Sequence, residues 1–157
     1  MVDINEKLLD FLHKSPTCFH AIDEIKEILV KQGYRELSEA ESWKLEVDGR
    51  YFVIRNQSSI IAFRIPTTEY KGYMIGAAHS DSPTFKVKEN PEIVGSGVVK
   101  LNVEKYGGML CAPWFDRPLS VAGRVIVKEN GKLVTKLVRV DKDLLVIPNL
   151  AIHMNRE

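Results

Sequence analysis

The grouping with most chemical potential in this sequence is His79-Ser80-Asp81-Ser82. It follows the apolar run Tyr73-Met74-Ile75-Gly76-Ala77-Ala78. A run of this kind reads as a strand buried on both faces of a central sheet. Polar residues at the C-terminal end of such a strand are where α/β folds hold reactive groups. In extended backbone, residues i and i+2 point to the same side, so His79 and Asp81 face one site. Two readings follow. In the first, the imidazole binds a metal ion while the carboxylate orients the ring and raises its basicity. In the second, His79 is a strand-end histidine satisfied by a nearby carboxylate. Pro83 biases Ser82 to extended backbone and stiffens the exit from the site.

The flanking elements must position this segment. Ile4, Leu8, Leu9, Phe11 and Leu12 recur at helical spacing over residues 4–13. Ser15-Pro16-Thr17 breaks that helix, and Thr17 caps a second running from about Cys18 to Gln32, which Gly33 stops. Ser38-Glu39-Ala40-Glu41 has the form of a capping box opening one short turn. The period then changes. Lys44–Val47, Tyr51–Arg55 and Ser59–Ile65 read as strands, the first two joined by an Asp48-Gly49 hairpin turn. A polar loop, Pro66–Gly72, leads into the apolar run. Strands are expected near residues 98–104, 120–128 and 132–140, with Asn130-Gly131 turning between the last two. No helical period is visible between 84 and 145.

The chain has 157 residues, with 45% hydrophobic and 27% charged, a globular composition. A formal net charge of +1 offers no reason to propose nucleic acid or an acidic membrane as partner. The densest basic run, Lys86-Val87-Lys88, reads as the solvated face of a strand. Cys18 and Cys111 lie too far apart for a zinc ribbon and are too few for a disulfide framework. They read as small buried thiols in a reducing compartment. The N-terminus shows no signal peptide, and no apolar run reaches the roughly 20 residues of a membrane span. The cytoplasm is the expected location.

Four stretches, in order, resemble the aspartyl aminopeptidase family of metallopeptidases. Phe11-Leu12-His13-Lys14-Ser15-Pro16-Thr17-Cys18-Phe19-His20-Ala21 is similar to its N-terminal signature, with Cys18 where a proline is expected. Gly76-Ala77-Ala78-His79-Ser80-Asp81-Ser82-Pro83 resembles its first metal-binding motif. Tyr106-Gly107-Gly108, then Trp114-Phe115-Asp116-Arg117-Pro118-Leu119, resembles the segment leading into Ala122-Gly123-Arg124-Val125. Ile147-Pro148-Asn149-Leu150-Ala151-Ile152-His153-Met154-Asn155-Arg156 resembles a further block.

The resemblance implies an α/β fold: residues 1–88 are part of a catalytic domain, and 89–157 begin an inserted all-β assembly domain. It implies two bridged metal ions, usually zinc, that activate a water against the first peptide bond of a peptide substrate. Manganese or cobalt would also suit such ligands. By the same resemblance His79 is a direct ligand and Asp81 the catalytic carboxylate beside it. His153 matches a histidine that is either a metal ligand or a group reaching the substrate in a neighbouring subunit. The second role is favoured, because a histidine so deep in the inserted domain need not return to its own metal. Asp116 and Arg117 are expected to pair and shape the inserted domain, with Arg117 able to reach an acidic group. His13 reads as a surface residue and His20 as a packing residue.

The remaining ligands of such a site match nothing here, and the chain closes on an apolar stretch. It is therefore expected to be the N-terminal fragment of a longer polypeptide, inactive alone and homo-oligomeric. Apolar surface is expected at Val98, Val99, Leu101, Leu144, Leu145, Val146 and Ile147. The alternative is a non-catalytic homo-oligomeric assembly module.

Overall fold

A computed structural model describes residues 3–67, 69–95 and 97–154. The expectations that touch Met1, Val2, Thr68 and the block's last residues, Asn155 and Arg156, lie outside the described residues. Two compact units are present. One draws on Met1–Asp81 and Ala122–Arg139, the other on Ser82–Val121 and Val140–Glu157.

The first unit opens with two helices, α1 (Ile4–Lys14) and α2 (Cys18–Lys31). The Asp3 side chain caps α1 by accepting from the Asn5 N–H. The Thr17 hydroxyl accepts the His20 N–H at 3.4 Å and starts α2. Gly33, at φ 80°, ends α2 in the left-handed conformation that glycine adopts without strain. The apolar spacing thus forms both expected helices. Helix α2 buries Ala21 and Ile22, whereas α1 buries no residue.

Strands β1 (Arg35–Glu36), β2 (Arg50–Arg55) and β3 (Ser59–Arg64) form one sheet in that order. Strand β2 pairs parallel with β1 and antiparallel with β3. Its Tyr51, Phe52 and Val53 are the buried centre of the unit. The expected strand at 44–47 does not form. At Tyr51 and Phe52 both edges of β2 are taken, by β1 and β3, so this segment cannot pair there as the other arm of a hairpin. It is held instead by the Tyr51 hydroxyl, which accepts the Glu46 N–H at 2.8 Å. The Asp48-Gly49 turn is retained, with Asp48 at φ 62°. A Cβ on Gly49 would lie 2.5 Å from the buried Tyr51 ring, so only glycine fits.

The apolar run Tyr73–Ala78 is also not a strand, which corrects the expectation of a buried central one. Tyr73, Met74 and Ile75 are 79%, 102% and 84% exposed. A strand needs a neighbour to take its N–H and C=O groups, and no described strand pairs with this run.

The hairpin of β6 (Ala122–Glu129) and β7 (Lys132–Arg139) completes the first unit. Asn130 and Gly131, at φ 50° and 80°, make the expected two-residue turn. Arg124 fastens the hairpin to the unit. Its guanidinium lies 4.2 Å from the Phe19 ring centroid and donates to the Asn56 carbonyl at 2.8 Å. At the other strand, Arg139 donates to the His13 carbonyl at 2.6 Å.

In the second unit β4 (Thr84–Gly95) pairs antiparallel with β5 (Val98–Tyr106). Strand β4 was expected only at its basic run, Lys86-Val87-Lys88, and the boundary expected near residue 88 falls inside it. Its sequence mixes Lys, Glu, Asn and Pro without clean alternation. A register shift between Val87 and Glu92 accommodates Pro91, which has no N–H to give a ladder. A single 3-10 turn, Ala112–Trp114, follows and packs Trp114 edge-on against Phe85 at 5.4 Å. Isolated bridges join Phe115 to Ile147 and Leu119 to Leu145. Val98, Val99, Leu144 and Val146 are exposed, while Leu101, Leu145 and Ile147 are half-buried. Cys18 and Cys111 are free thiols, half-buried rather than buried.

Candidate metal centre

The segment carrying His79 is anchored by the residue between the two chemical groups. The Ser80 hydroxyl donates to the Ser58 carbonyl at 2.8 Å, in the turn between β2 and β3. Ser80 can therefore hold the chain through its own hydroxyl while His79 and Asp81 meet each other. Nothing local in the sequence marks this role, since the partner is twenty-two residues away.

His79 and Asp81 are brought together. His79 Nδ1 lies 2.8 Å from the Asp81 carbonyl oxygen and 3.2 Å from its carboxylate Oδ1. Both acceptors call for Nδ1–H, so the neutral ring carries its lone pair on Nε2. The side chains are 81% and 44% exposed, so the imidazole is accessible. An exposed imidazole held through Nδ1 by a main-chain carbonyl, with a carboxylate beside it, is the arrangement of a metal-binding histidine and its supporting groups. The pair fits one ligand of a zinc site. Zinc normally takes three or four protein ligands, and no group of three His, Cys, Asp or Glu is gathered among the described residues.

His153 belongs to the other compact unit. It is exposed in a turn closed by the Met154 N–H on the Ala151 carbonyl at 2.8 Å. The expected Asp116–Arg117 pair does not form. The Asp116 carboxylate accepts the Asn149 N–H at 2.9 Å instead. That bond lets one short turn fasten a segment distant in sequence.

His13 is exposed, and its Nε2 is 2.9 Å from the Arg139 guanidinium. His20 is half-buried with Nδ1 2.8 Å from the Thr17 hydroxyl. Burial holds the His20 pKa below the ordinary imidazole value. The nearby Arg139 charge adds to this, and Asp23 opposes it.

The chain matches the aminopeptidase I zinc metalloprotease (M18) family over residues 11–157. It is 47% identical to a probable M18 family aminopeptidase 2 of Clostridium acetobutylicum, over 99% of this chain and 37% of that protein. It is 51% identical to a probable M18 family aminopeptidase 2 of Pseudomonas aeruginosa, over 98% of this chain and 36% of the relative. Among solved structures, Ape4 from a cryo-EM complex with Nbr1 superposes with a TM-score of 0.90 at 44% identity, over 95% of this chain and 29% of that one. The mApe1 of Chaetomium thermophilum gives 0.87 at 44% identity, over 95% and 35%. The S. cerevisiae mApe1 dodecamer gives 0.80 at 28% identity, over 96% and 36%. This chain belongs to the M18 family of zinc metalloproteases. It spans little more than a third of the curated relatives it matches.

Proposed function

We propose that this chain is the N-terminal part of a zinc-dependent aminopeptidase that removes the N-terminal residue from peptides, an acidic residue being the first substrate to try. The observation that carries this reading is the Nδ1 clamp of His79 on Asp81 in a chain of the M18 family. His79 Nε2 would be a ligand to one of two zinc ions, with Asp81 holding the ring in place. Zinc supplies a Lewis acid and an activated water; manganese or cobalt would serve the same ligands. Residues 1–88 belong to the catalytic domain and 89–157 to an inserted assembly domain. His153 acts on the metal or, as favoured, on substrate in a neighbouring subunit of a cytoplasmic homo-oligomer. The exposed Val98, Val99, Leu144 and Val146 suit burial in such an assembly. Neither nucleic acid nor a membrane is a partner in this reading.

The test uses two proteins, the chain alone and a family-length protein containing it. The family-length protein should hydrolyse an aminoacyl chromogenic substrate with zinc, and His79→Ala should lower kcat by at least 1,000-fold (about 4 kcal/mol). The chain alone should show no turnover, because one imidazole and one carboxylate are too few for a catalytic zinc. Zinc-dependent, chelator-sensitive turnover by the chain alone would refute its inactivity. A family-length protein that assembles but neither hydrolyses peptides nor binds zinc would favour the assembly module.

A further inference from the structure

The second unit contains a small polar fastening that the two-metal reading leaves unused. Asp116 sits at φ 52°, in the left-handed region, two residues after the 3-10 turn that ends at Trp114. Its N–H donates to the Ile147 carbonyl at 3.0 Å, and its Oδ1 accepts the Asn149 N–H at 2.9 Å. One residue thus grips the Ile147-Pro148-Asn149 segment from both sides of the proline. Pro148 has no N–H, so the segment cannot continue a regular ladder at that point. The next link is Asn149, whose Oδ1 accepts the Leu150 N–H at 2.9 Å. The chain then enters the turn that carries His153.

We infer that Asp116 is a positioning residue for the Ile147–Met154 segment, and through it for His153. Its backbone and carboxylate hold the Ile147-Pro148-Asn149 step where a β-ladder cannot. The functional half of this inference rests on the proposed role of His153; the structural half does not. The left-handed backbone favours Asn, Asp or Gly here. Among those, only Asp and Asn carry an oxygen that can accept the Asn149 N–H.

The experiment separates backbone from carboxylate. Amide hydrogen exchange on the chain reads the Asn149 N–H directly. Asp116→Gly keeps the left-handed backbone and removes the acceptor, so exchange at Asn149 should quicken about 10-fold, the value of one lost hydrogen bond. Asp116→Asn keeps an acceptor and should stay within about 3-fold of the parent. Unchanged protection in Asp116→Gly, with the β4–β5 amides still protected, would overturn the inference. So would equal loss in Asp116→Asn.

In a family-length enzyme, Asp116→Gly should lower kcat/KM in the same sense as His153→Ala, with Asp116→Asn restoring it. The double variant should be no worse than His153→Ala, because both act through one group. If His153→Ala is silent while the exchange result holds, the proposed role of His153 fails and the fastening stands. If His153→Ala is damaging but Asp116→Gly is not, the positioning role fails.

Discussion

Two apolar tetrapeptides of the first unit, Tyr51-Phe52-Val53-Ile54 and Tyr73-Met74-Ile75-Gly76, have similar composition and opposite fates. In β2, Tyr51 and Phe52 are 1% and 0% exposed, with β1 on one edge and β3 on the other. At the second site, Met74 and Ile75 are 102% and 84% exposed and no described strand is paired with them. An apolar run supplies the tendency to be buried, but only a neighbouring ladder makes it a strand. The His79–Asp81 clamp adjoins the exposed run and is made all the same, because it closes over two residues and needs no sheet.

The largest test of this contrast is a pair of truncations. Phe52→Ala should cost about 3–5 kcal/mol, the usual range for a buried aromatic. Ile75→Ala should stay within about 0.5 kcal/mol, as for exposed positions generally. Urea denaturation of the chain measures both, and a cost above about 1.5 kcal/mol for Ile75→Ala would break the comparison.

A middle-sized effect concerns local support for the ordered half. Thr17→Ala removes the cap of α2 and should cost about 1 kcal/mol, read as a lower denaturation midpoint with an unchanged slope. Tyr73 is exposed and meets Tyr70 at the surface, so the same measurement on Tyr73→Ala should show less.

The smallest effect is pH-dependent. His20 has its folded pKa below the ordinary 6.5, because burial and the Arg139 charge disfavour its cation. The unfolded chain therefore takes up the proton first. This contribution is complete above about pH 6.5 and falls as pH drops below it, levelling once folded His20 is protonated too. Replacing His20 with Gln should flatten that slope. A parent stability that rises on acidification through this window would contradict the assignment.

Much of the fold was legible because its signals are local. Thr17 and Gly33 bound α2 through capping chemistry that acts within a few residues. Asn130-Gly131 specifies its own turn through two positive φ angles. The proximity of His79 and Asp81 needs only their spacing of two residues. What stayed hidden depends on partners remote in sequence. The pairing of β2 with β1 displaced the expected 44–47 strand, and β4 runs well past its expected basic stretch through β5 despite a charged, proline-bearing sequence.

The sequence by itself determined the M18 family, the helix ends, the hairpin turns and the pairing of an imidazole with a carboxylate. Each of these is settled by residues within a turn or two, or by an ordered set of motifs. Tertiary structure alone decided that Ser80 ties the motif to Ser58, that Arg124 and Arg139 hold the β6–β7 hairpin in the first unit, and that Asp116 grips Asn149 rather than Arg117. Those choices depend on which distant carbonyl or amide lies within about 3 Å of a side chain, a distance that no local pattern encodes.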